Sequence, residues 1–202
     1  DDKAVYGATL KAIAKRADHI AVVSETTRQD VIRLMGVPED RVTNTYQAVS
    51  IPSKYADRPQ REVELELEGV FNLGWKQYFL HFGAIEPKKN LGRIVEAYLS
   101  SGSTTPLVLI GGRAWLEEGE IALLNQVKRD GGPNAERIRQ YDYMPFSMLI
   151  SLIRGAKATL FPSLYEGFGL PVLESMALST AVLTSTGGAL PEVAGEAAVV
   201  VD

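Results

Sequence analysis

Cysteine is absent from this chain, and histidine occurs only twice in its 202 residues. Without cysteine the protein can form neither disulfide bonds nor thiolate metal sites, which fits a reducing compartment. His19 and His81 are too far apart in the sequence to suggest a pair of metal ligands. The chain also contains no Asp-x-Asp motif. The sequence therefore offers no recognisable site for a metal ion.

Long apolar runs and an excess of positive charge are missing as well. No stretch approaches the roughly 18 consecutive apolar residues of a membrane-spanning helix, and no signal peptide is visible at Asp1. The net charge is −4, with 21 lysine and arginine residues against 25 acidic ones. A general nucleic-acid-binding surface is therefore not expected, and any site for an anion must be built from a few local basic residues.

The first part of the chain predicts short elements and then a connection. Up to residue 48 the patterns indicate a helix at 4–16, a strand at 20–23, a helix from its N-cap Ser24 to near Gly36, and a strand at 41–46. Residues 49–77 are irregular and polar, with two prolines and a glutamate-rich stretch. Such a composition is typical of a linker between domains.

From residue 78 onward, strand and helix patterns alternate regularly. Apolar β-competent runs predict strands at 78–85, 107–110, 138–141, 158–161, 181–184 and 198–201. Helical spacing predicts helices at 91–100, 116–128, 146–154, 170–178 and 190–195. This alternation predicts an α/β fold with a doubly wound, Rossmann-like parallel sheet. The chain thus divides into residues 1–48, a linker at 49–77, and an α/β domain at 78–202.

The most informative segment is 161–174, which reads FPSLYEGFGLPVLE. A strand, a turn at Gly167 and Gly169, and the start of a helix follow one another there. Unpaired N–H groups at such a helix start can hold a phosphate. Glu166 and Glu174 suit hydroxyl groups better than phosphate, so the segment predicts a site for a sugar nucleotide. The alternative is a structural turn before a helix with Glu174 in its first turn, where the helix dipole favours a carboxylate.

The same segment does not fit a dinucleotide-binding oxidoreductase. The fingerprint of those enzymes needs a third glycine three residues after the second, and this position holds Val172. A Rossmann-type oxidoreductase is therefore disfavoured.

Several ordered blocks resemble one enzyme family. Segment 162–174, with Glu166 and Glu174 separated by seven residues, is similar to the signature of the retaining glycosyltransferases of family 4, which have the two-domain GT-B fold. Further blocks agree in order, at 14–25, 82–91, 110–115 and 187–195. The resemblance covers most of the chain.

The resemblance implies that two parts of the chain belong to domains with different functions. Residues 1–48 would be the end of an acceptor-binding N-terminal domain, and residues 78–202 the nucleotide-sugar-binding domain without its C-terminal tail. We therefore expect a hexosyltransferase of which this chain carries the donor-binding half, inactive by itself. The acceptor would be a glycan or a lipid-linked molecule, bound mainly by the other domain.

Because the chain has no Asp-x-Asp motif, we expect the diphosphate of the donor to bind without a metal or any other cofactor. Cations must then meet the negative charge that develops on the leaving diphosphate, and Lys88 and Lys89 are the candidates. Lys89 matches the phosphate-contacting lysine of the family, whereas a solvated loop is the alternative for Lys88. Many members carry an arginine shortly after the residue that matches Gly83, where this chain has Ala84. Arg113 is a candidate replacement for that charge.

The other donor contacts are also implied by the resemblance. Glu166 would accept hydroxyls of the transferred sugar and Glu174 those of the ribose, since an ionised carboxylate can accept two hydroxyl donors. Backbone N–H groups would meet the sugar and the β-phosphate at the turn formed by Gly167, Phe168, Gly169 and Leu170. The nucleotide base would lie near the loop that contains Tyr143 and Met144. Glu166 and Lys89 are the candidate catalytic residues.

The identity of the donor rests on two short blocks. Residues 86–90 and 111–115 look most like mannosyltransferases that use GDP-mannose, with UDP-glucose as the alternative. The implied reaction follows a same-face route in which Glu166 positions the sugar and is not the nucleophile. It would serve polysaccharide or lipopolysaccharide assembly in the cytoplasm, with peripheral attachment at the inner face of the membrane left open. A non-catalytic module that binds the nucleotide sugar is the alternative of another class.

Overall fold

A computed structural model describes residues 2–112 and 118–202, with residues 2, 3 and 118–120 described only as parts of their helices. The chain begins with a small unit of two parallel strands, β1 (Ile20–Val22) and β2 (Val42–Asn44). Two helices accompany them, α1 (Asp2–Arg16) and α2 (Glu25–Met35). The predicted N-cap of α2 is confirmed, since Ser24 Oγ accepts a hydrogen bond from the Thr27 N–H at 3.0 Å.

The segment 49–77 is more ordered than the sequence predicts. It contains α3 (Ser53–Ala56), α4 (Gln60–Glu66) and a π-helical turn at Leu67–Phe71. Val63 and Leu67 are fully buried in the core of the following domain. The prediction of an irregular connection is therefore wrong for these helical residues, because their apolar side chains pack against that core. The division of the chain into domains stays a prediction.

Six parallel strands form the main sheet, in agreement with the predicted α/β fold. They are β3 (Phe79–Phe82), β4 (Leu107–Ile110), β5 (Ile138–Tyr141), β6 (Ala158–Phe161), β7 (Ala181–Ser185) and β8 (Val199–Val201). Their order across the sheet is β5-β4-β3-β6-β7-β8. This is the order of a Rossmann fold, in which the chain winds outward first to one side and then to the other. Residues 83–85, predicted as part of the first strand, belong to the loop after β3.

Helices connect these strands. They are α5 (Leu91–Ser100), α6 (Glu118–Asp130), α7 (Gly132–Arg137), α8 (Phe146–Gly155), α9 (Leu170–Ala177) and α10 (Leu190–Ala194). Residues 116 and 117 of the predicted second helix lie outside the described residues. The short α7 was not predicted because its sequence, GPNAER, has no apolar periodicity. None of the described helices is long and apolar enough to cross a bilayer.

The two faces of the main sheet carry separate cores, because side chains alternate between the faces along each strand. On one face Leu80 and Val108 pack together with residues of α4, α8 and α9. On the other face Leu107 and Leu109 pack with residues of α5 and α6. The sheet is therefore covered on both sides, and its open surfaces are the loops at the two ends of the strands.

The order of the strands reverses between β3 and β6, which are neighbours in the sheet. From β3 the chain continues to β4 on one side, whereas from β6 it continues to β7 on the other. The loops at their carboxyl ends diverge and open a crevice, which is where sheets of this kind bind ligands. Both predicted site segments, the loop at 83–90 and the turn at 162–169, leave the sheet at this crevice.

Candidate functional site

The two loops that leave β3 and β6 are hydrogen-bonded to each other. The Asn90 side chain donates through Nδ2 to the Pro162 carbonyl at 3.0 Å, and the Leu164 N–H donates to the Lys88 carbonyl at 2.7 Å. Asn90 has a φ of 61°, a left-handed conformation in which asparagine is enriched. The two lysines before Asn90 are thereby brought next to the β6 loop.

The Lys89 ammonium and the Glu166 carboxylate form a close ion pair in this crevice. Lys89 Nζ lies 2.5 Å from Glu166 Oε1, and each side chain is only 12% exposed. Lys88 Nζ lies 3.9 Å from Glu166 Oε2 and 3.6 Å from Glu86 Oε1, and the Lys88 side chain is 50% exposed. The two lysines therefore differ: Lys89 is enclosed with one carboxylate, while Lys88 lies at the rim between two.

The backbone of Glu166 is fixed by the loop between β7 and α10. It forms an isolated parallel bridge with Gly188, and its carbonyl accepts a hydrogen bond from the Ala189 N–H at 2.9 Å. A Cβ at Gly188 would lie 2.3 Å from the Glu166 carbonyl oxygen, and a Cβ at Gly187 would lie 2.4 Å from the Ser163 carbonyl oxygen. Only glycine allows this close approach, so the pair Gly187 and Gly188 supports the position of Glu166.

The glycine turn presents unpaired N–H groups at the start of α9. Gly169 caps the helix with a φ of 109°, a conformation that favours glycine, and a Cβ there would lie 2.8 Å from Leu190 Cδ2. Within the described part of the chain, the N–H groups of Phe168, Gly169 and Leu170 donate to no acceptor. Three free donors at the positive end of a helix dipole suit the oxygens of an anion.

Glu174 lies one residue beyond the first turn of α9, where the sequence predicts it to be inside that turn. The helix begins at Leu170, so Glu174 is its fifth residue, and the prediction of a first-turn glutamate is wrong. The helix dipole acts mainly within the first turn and does little for this carboxylate. Burial raises the pKa of the Glu174 carboxyl, which bonds to no other residue of the described chain. The carboxylate is therefore available to accept hydroxyl groups of a ligand.

A cleft of about 370 Å³ adjoins the crevice at the carboxyl ends of β3, β4 and β5. Its lining comes from Phe82–Ala84, Ile110–Gly112, Asp142–Met144 and Leu149. A Cβ at Gly111 would lie 1.9 Å from the Gly83 carbonyl oxygen, so the wall of the cleft requires glycine there. Tyr143 is 89% exposed at the rim, whereas Met144 packs against the core. The predicted residues Gly83, Tyr143 and Met144 thus share one cleft, whose volume is within the usual range for small-molecule sites.

His81 in β3 is a buried residue that the sequence analysis did not assign to the site. Its Nδ1 lies 2.8 Å from the Leu160 carbonyl oxygen, and its ring contacts Phe161. Because a carbonyl only accepts, Nδ1 carries the proton, and the lone pair of Nε2 has no partner in the described part of the chain. Burial lowers the pKa of His81 to about 4, with the charge of Lys89 acting in the same direction. A neutral imidazole therefore lies within electrostatic reach of the Lys89–Glu166 pair.

Glu192 joins the main domain to the N-terminal unit. It lies in the first turn of α10. In the structure its carboxylate accepts hydrogen bonds from the Glu25 N–H at 2.7 Å and the Thr26 N–H at 3.1 Å, at the start of α2. Although burial acts in the opposite direction, these bonds hold the pKa of Glu192 below its usual range. No sequence signal identifies this contact, because its partners lie far away along the chain.

The structure brings most of the predicted site residues to one side of the sheet, around the crevice and the adjoining cleft. Arg113 lies outside the described residues, so its predicted contact stays a prediction. Among the residues that are described, no group of three or more histidine and acidic side chains is placed to hold a metal ion.

The fold is that of the C-terminal, Rossmann-like domain of a GT-B glycosyltransferase. The chain belongs to the family of glycosyl transferases group 1, which matches residues 70–202. This result confirms the resemblance found in the sequence.

Several curated relatives of the chain are named mannosyltransferases. It is 36% identical to O-antigen chain mannosyltransferase B from Escherichia coli over 187 residues, which cover 91% of this chain and 47% of the relative. It is 29% identical to the serotype-specific mannosyltransferase WbdA from Escherichia coli over 90% of this chain and 22% of the relative. The chain thus spans about half or less of the length of these relatives.

A solved structure with the same fold is HepE from Anabaena in complex with UDP-glucose. The TM-score is 0.78 at 18% sequence identity, and the match covers 95% of this chain and 52% of HepE. At this identity the likeness shows the fold alone.

Proposed function

We propose that this chain is the donor-binding half of a retaining, metal-independent hexosyltransferase that moves mannose from a nucleoside diphosphate sugar to a glycan or lipid-linked acceptor. The observation that carries this proposal is the enclosed ion pair of Lys89 and Glu166, 2.5 Å apart, beside the unpaired N–H groups at the start of α9. A cation, a carboxylate and a helix N-terminus in one crevice match the phosphates and hydroxyls of a nucleotide sugar.

Lys89 and the N–H groups of Phe168, Gly169 and Leu170 hold the departing diphosphate. Negative charge grows on the diphosphate as the glycosidic bond breaks, and fixed donors that already point at this charge lower the barrier. Lys88 at the rim attracts the same charge from a greater distance, where solvent weakens its effect. This division of roles explains why only one of the two lysines is enclosed.

Donor binding exchanges the partners of the ion pair. In the free protein Lys89 and Glu166 neutralise each other, so neither enclosed charge lacks a partner. When the donor binds, phosphate oxygens approach Lys89 and hydroxyl groups of the sugar donate to Glu166. Hydrogen bonds to a charged group contribute about 1.5–3 kcal/mol each, so the new contacts can offset the loss of the pair.

The nucleoside part of the donor lies along the other side of the crevice. Glu174 accepts the ribose hydroxyls, because it is a partly buried carboxylate without a protein partner in the described chain. The base enters the cleft lined by Gly83, Tyr143 and Met144. An exposed tyrosine at the rim provides a flat surface on which a base can stack.

The transfer proceeds on one face of the sugar. The bond between the anomeric carbon and the phosphate oxygen breaks, the acceptor oxygen bonds to the same face of that carbon, and the acceptor proton passes to the leaving phosphate. Glu166 orients the sugar through its hydroxyls in this scheme. Glu166 is not the nucleophile in this scheme.

Mannose is the preferred sugar because O-antigen chain mannosyltransferase B and WbdA, which are 36% and 29% identical to this chain over 90% or more of its length, are named mannosyltransferases. GDP-mannose is accordingly the proposed donor. UDP-glucose is the second candidate, since HepE, which has the same fold, was solved in complex with that compound. The acceptor is a glycan of the O-antigen type, by analogy with the names of the relatives, in a cytoplasmic setting with peripheral contact to the membrane.

Calorimetric titration tests the proposal and separates it from its alternatives. The chain is titrated with GDP, UDP and ADP and with their sugar conjugates, each with and without EDTA. We expect one diphosphate and its sugar conjugate to bind, with the same affinity in both buffers. Loss of binding on chelation would disprove the metal-free site, and absence of binding to every nucleotide would disprove the donor-binding function.

The competing function is a module that binds the nucleotide sugar and transfers nothing. The intact pair of Lys89 and Glu166 favours an enzyme. Catalysis requires a group that stabilises the diphosphate more strongly as it leaves than in the bound donor, whereas binding alone does not. A full-length protein that binds the donor but neither hydrolyses it nor transfers its sugar to any glycan would support the module.

A further inference from the structure

Two hydroxyl groups from the N-terminal unit hold one carbonyl of the glycine turn. Ser24 Oγ lies 2.7 Å and Thr27 Oγ1 lies 3.1 Å from the Gly167 carbonyl oxygen, and the two hydroxyl oxygens lie 2.8 Å from each other, so two hydroxyl protons serve these three contacts. Both hydroxyls lie at the start of α2, more than a hundred positions before Gly167 in the sequence. A carbonyl that is hydrogen-bonded to this pair of hydroxyls has a fixed direction, so the peptide unit that contains it has a fixed direction as well.

The same peptide unit contains the N–H group of Phe168. The Gly167–Phe168 peptide is trans, and in a planar trans peptide the C=O and the N–H point in opposite directions. Because the C=O points to Ser24 and Thr27, the Phe168 N–H points away from the N-terminal unit. On that side it makes no hydrogen bond to any described residue.

The start of α2 is also hydrogen-bonded to the main domain. The Glu192 carboxylate binds the N–H groups of Glu25 and Thr26, and its Oε2 also accepts from Thr26 Oγ1 at 3.2 Å. Glu192 therefore holds the α2 terminus at the place where the hydroxyls of Ser24 and Thr27 reach Gly167.

We propose that Ser24 and Thr27 are positioning residues of the donor site, acting through the peptide between Gly167 and Phe168. By holding the Gly167 carbonyl they aim the Phe168 N–H at the phosphate of the donor. If α2 moves away from the turn, this peptide is free to rotate and the amide is no longer aimed. Donor affinity thus depends on the position of the N-terminal unit. This inference rests on the proposed function and adds two residues to its site.

The test uses Thr27→Val, which keeps the shape of the side chain and leaves the N-cap Ser24 in place. GDP, UDP and ADP are the probes, and the one that binds the wild-type chain is used throughout. We expect Thr27→Val to weaken its binding about fivefold and Thr27→Ser to restore it to within about twofold. We expect a larger effect when Ser24→Ala is combined with Thr27→Val. If this double variant does not fold, the result for Thr27→Val alone decides the test.

Thr45→Val is the matched control. Thr45 Oγ1 donates to the Val22 carbonyl at 3.1 Å, so this variant removes the same kind of bond from the same unit without touching the turn. We expect its nucleotide affinity to equal that of the wild type, while its thermal stability falls about as much as that of Thr27→Val.

A second readout follows the amide itself. In ¹⁵N-labelled wild-type protein the Phe168 amide resonance should shift on addition of the nucleotide, and in Thr27→Val this shift should shrink. If Thr27→Val binds the nucleotide with wild-type affinity and its Phe168 shift is not reduced, the inference is wrong. The proposed function is not affected by that result. If the wild-type chain binds none of GDP, UDP and ADP, the proposed function is wrong, and this inference is wrong with it.

Discussion

Similar cations lie in opposite surroundings at the two ends of the strands of the main sheet. We call these ends the carboxyl edge and the amino edge. At the carboxyl edge, Lys89 lies 2.5 Å from Glu166 and beside the start of α9, where N–H groups are free. At the amino edge, Lys76 and Arg154 line a cleft of about 340 Å³ together with the end of α9. Helix starts carry a positive partial charge and helix ends a negative one. The first setting attracts an anion, whereas the second already supplies oxygen acceptors to its cations.

The contacts at the amino edge support this distinction. Arg154 donates to the carbonyl of Tyr55 at 3.3 Å and to that of Arg58 at 2.9 Å. Lys76 Nζ donates to Thr180 Oγ1 at 3.5 Å, and burial lowers the pKa of Lys76. These cations stabilise the fold by satisfying protein oxygens. A cation acts on a ligand only where its protein partner can be exchanged, as at Lys89.

The largest predicted effect is a loss of folding stability at acid pH. It arises from His81, which lies near the Lys89–Glu166 pair and has no counterpart in the contacts described for the amino edge. Its pKa in the folded chain is about 4 against an ordinary value of 6.5, so the unfolded chain binds the proton first as the pH falls. The stability that depends on a neutral His81 is fully present above pH 6.5 and is lost as the pH falls toward 4. With about 1.4 kcal/mol per pKa unit, the loss amounts to about 3 kcal/mol.

Denaturant unfolding between pH 4 and 7 measures this loss in the wild type and in His81→Phe, which keeps an aromatic ring but cannot be protonated. The free energy of unfolding should fall more steeply with decreasing pH in the wild type than in the variant. Parallel curves for the two proteins would show that His81 is not kept neutral by its burial.

The next largest effect compares the lysines. Lys89→Ala should weaken binding of the nucleoside diphosphate by about 1.5–3 kcal/mol, because a charged hydrogen bond is lost. Lys88→Ala should cost under about 1 kcal/mol, since its charge is exposed. Lys76→Ala, at the opposite edge, should change the affinity by less than about twofold. Calorimetry with the same nucleotide measures all three variants.

Either of two results would break the comparison between the edges. Equal losses for Lys88→Ala and Lys89→Ala would mean that the enclosed position of Lys89 carries no special role. A loss for Lys76→Ala as large as that for Lys89→Ala would place the anion site at the amino edge.

The sequence predicts the elements of the main sheet well because their signals are local. The helix at Leu91–Ser100 and the strand at Ala158–Phe161 have the predicted bounds, since apolar spacing alone determines which residues face the core. The turn at Gly167 and Gly169 was likewise recognisable, because glycine interrupts the pattern between strand and helix. The family resemblance then assigned roles to residues in these elements.

Contacts between distant segments could not be predicted in the same way. The polar composition of segment 49–77 predicts irregular structure, yet the segment contains helices, and Val63 and Leu67 are buried by a core that forms only in the tertiary structure. The contact of Glu192 with α2 and the hydroxyl bonds to Gly167 depend on how the N-terminal unit meets the main domain. Glu174 is the fifth residue of α9, one residue beyond the first turn in which the sequence predicts it.

The assignment of the two glutamates gives the most direct test of the central claim, that the carboxyl edge binds a nucleotide sugar. Glu166→Gln and Glu174→Gln are each titrated with the nucleoside diphosphate and with its sugar conjugate. Glu174→Gln should weaken both ligands alike, because both contain the ribose. Glu166→Gln should weaken the bare diphosphate by no more than about 0.5 kcal/mol but the sugar conjugate tenfold or more, about 1.4 kcal/mol. Equal weakening of both ligands by Glu166→Gln, or no effect of either variant, would contradict the account.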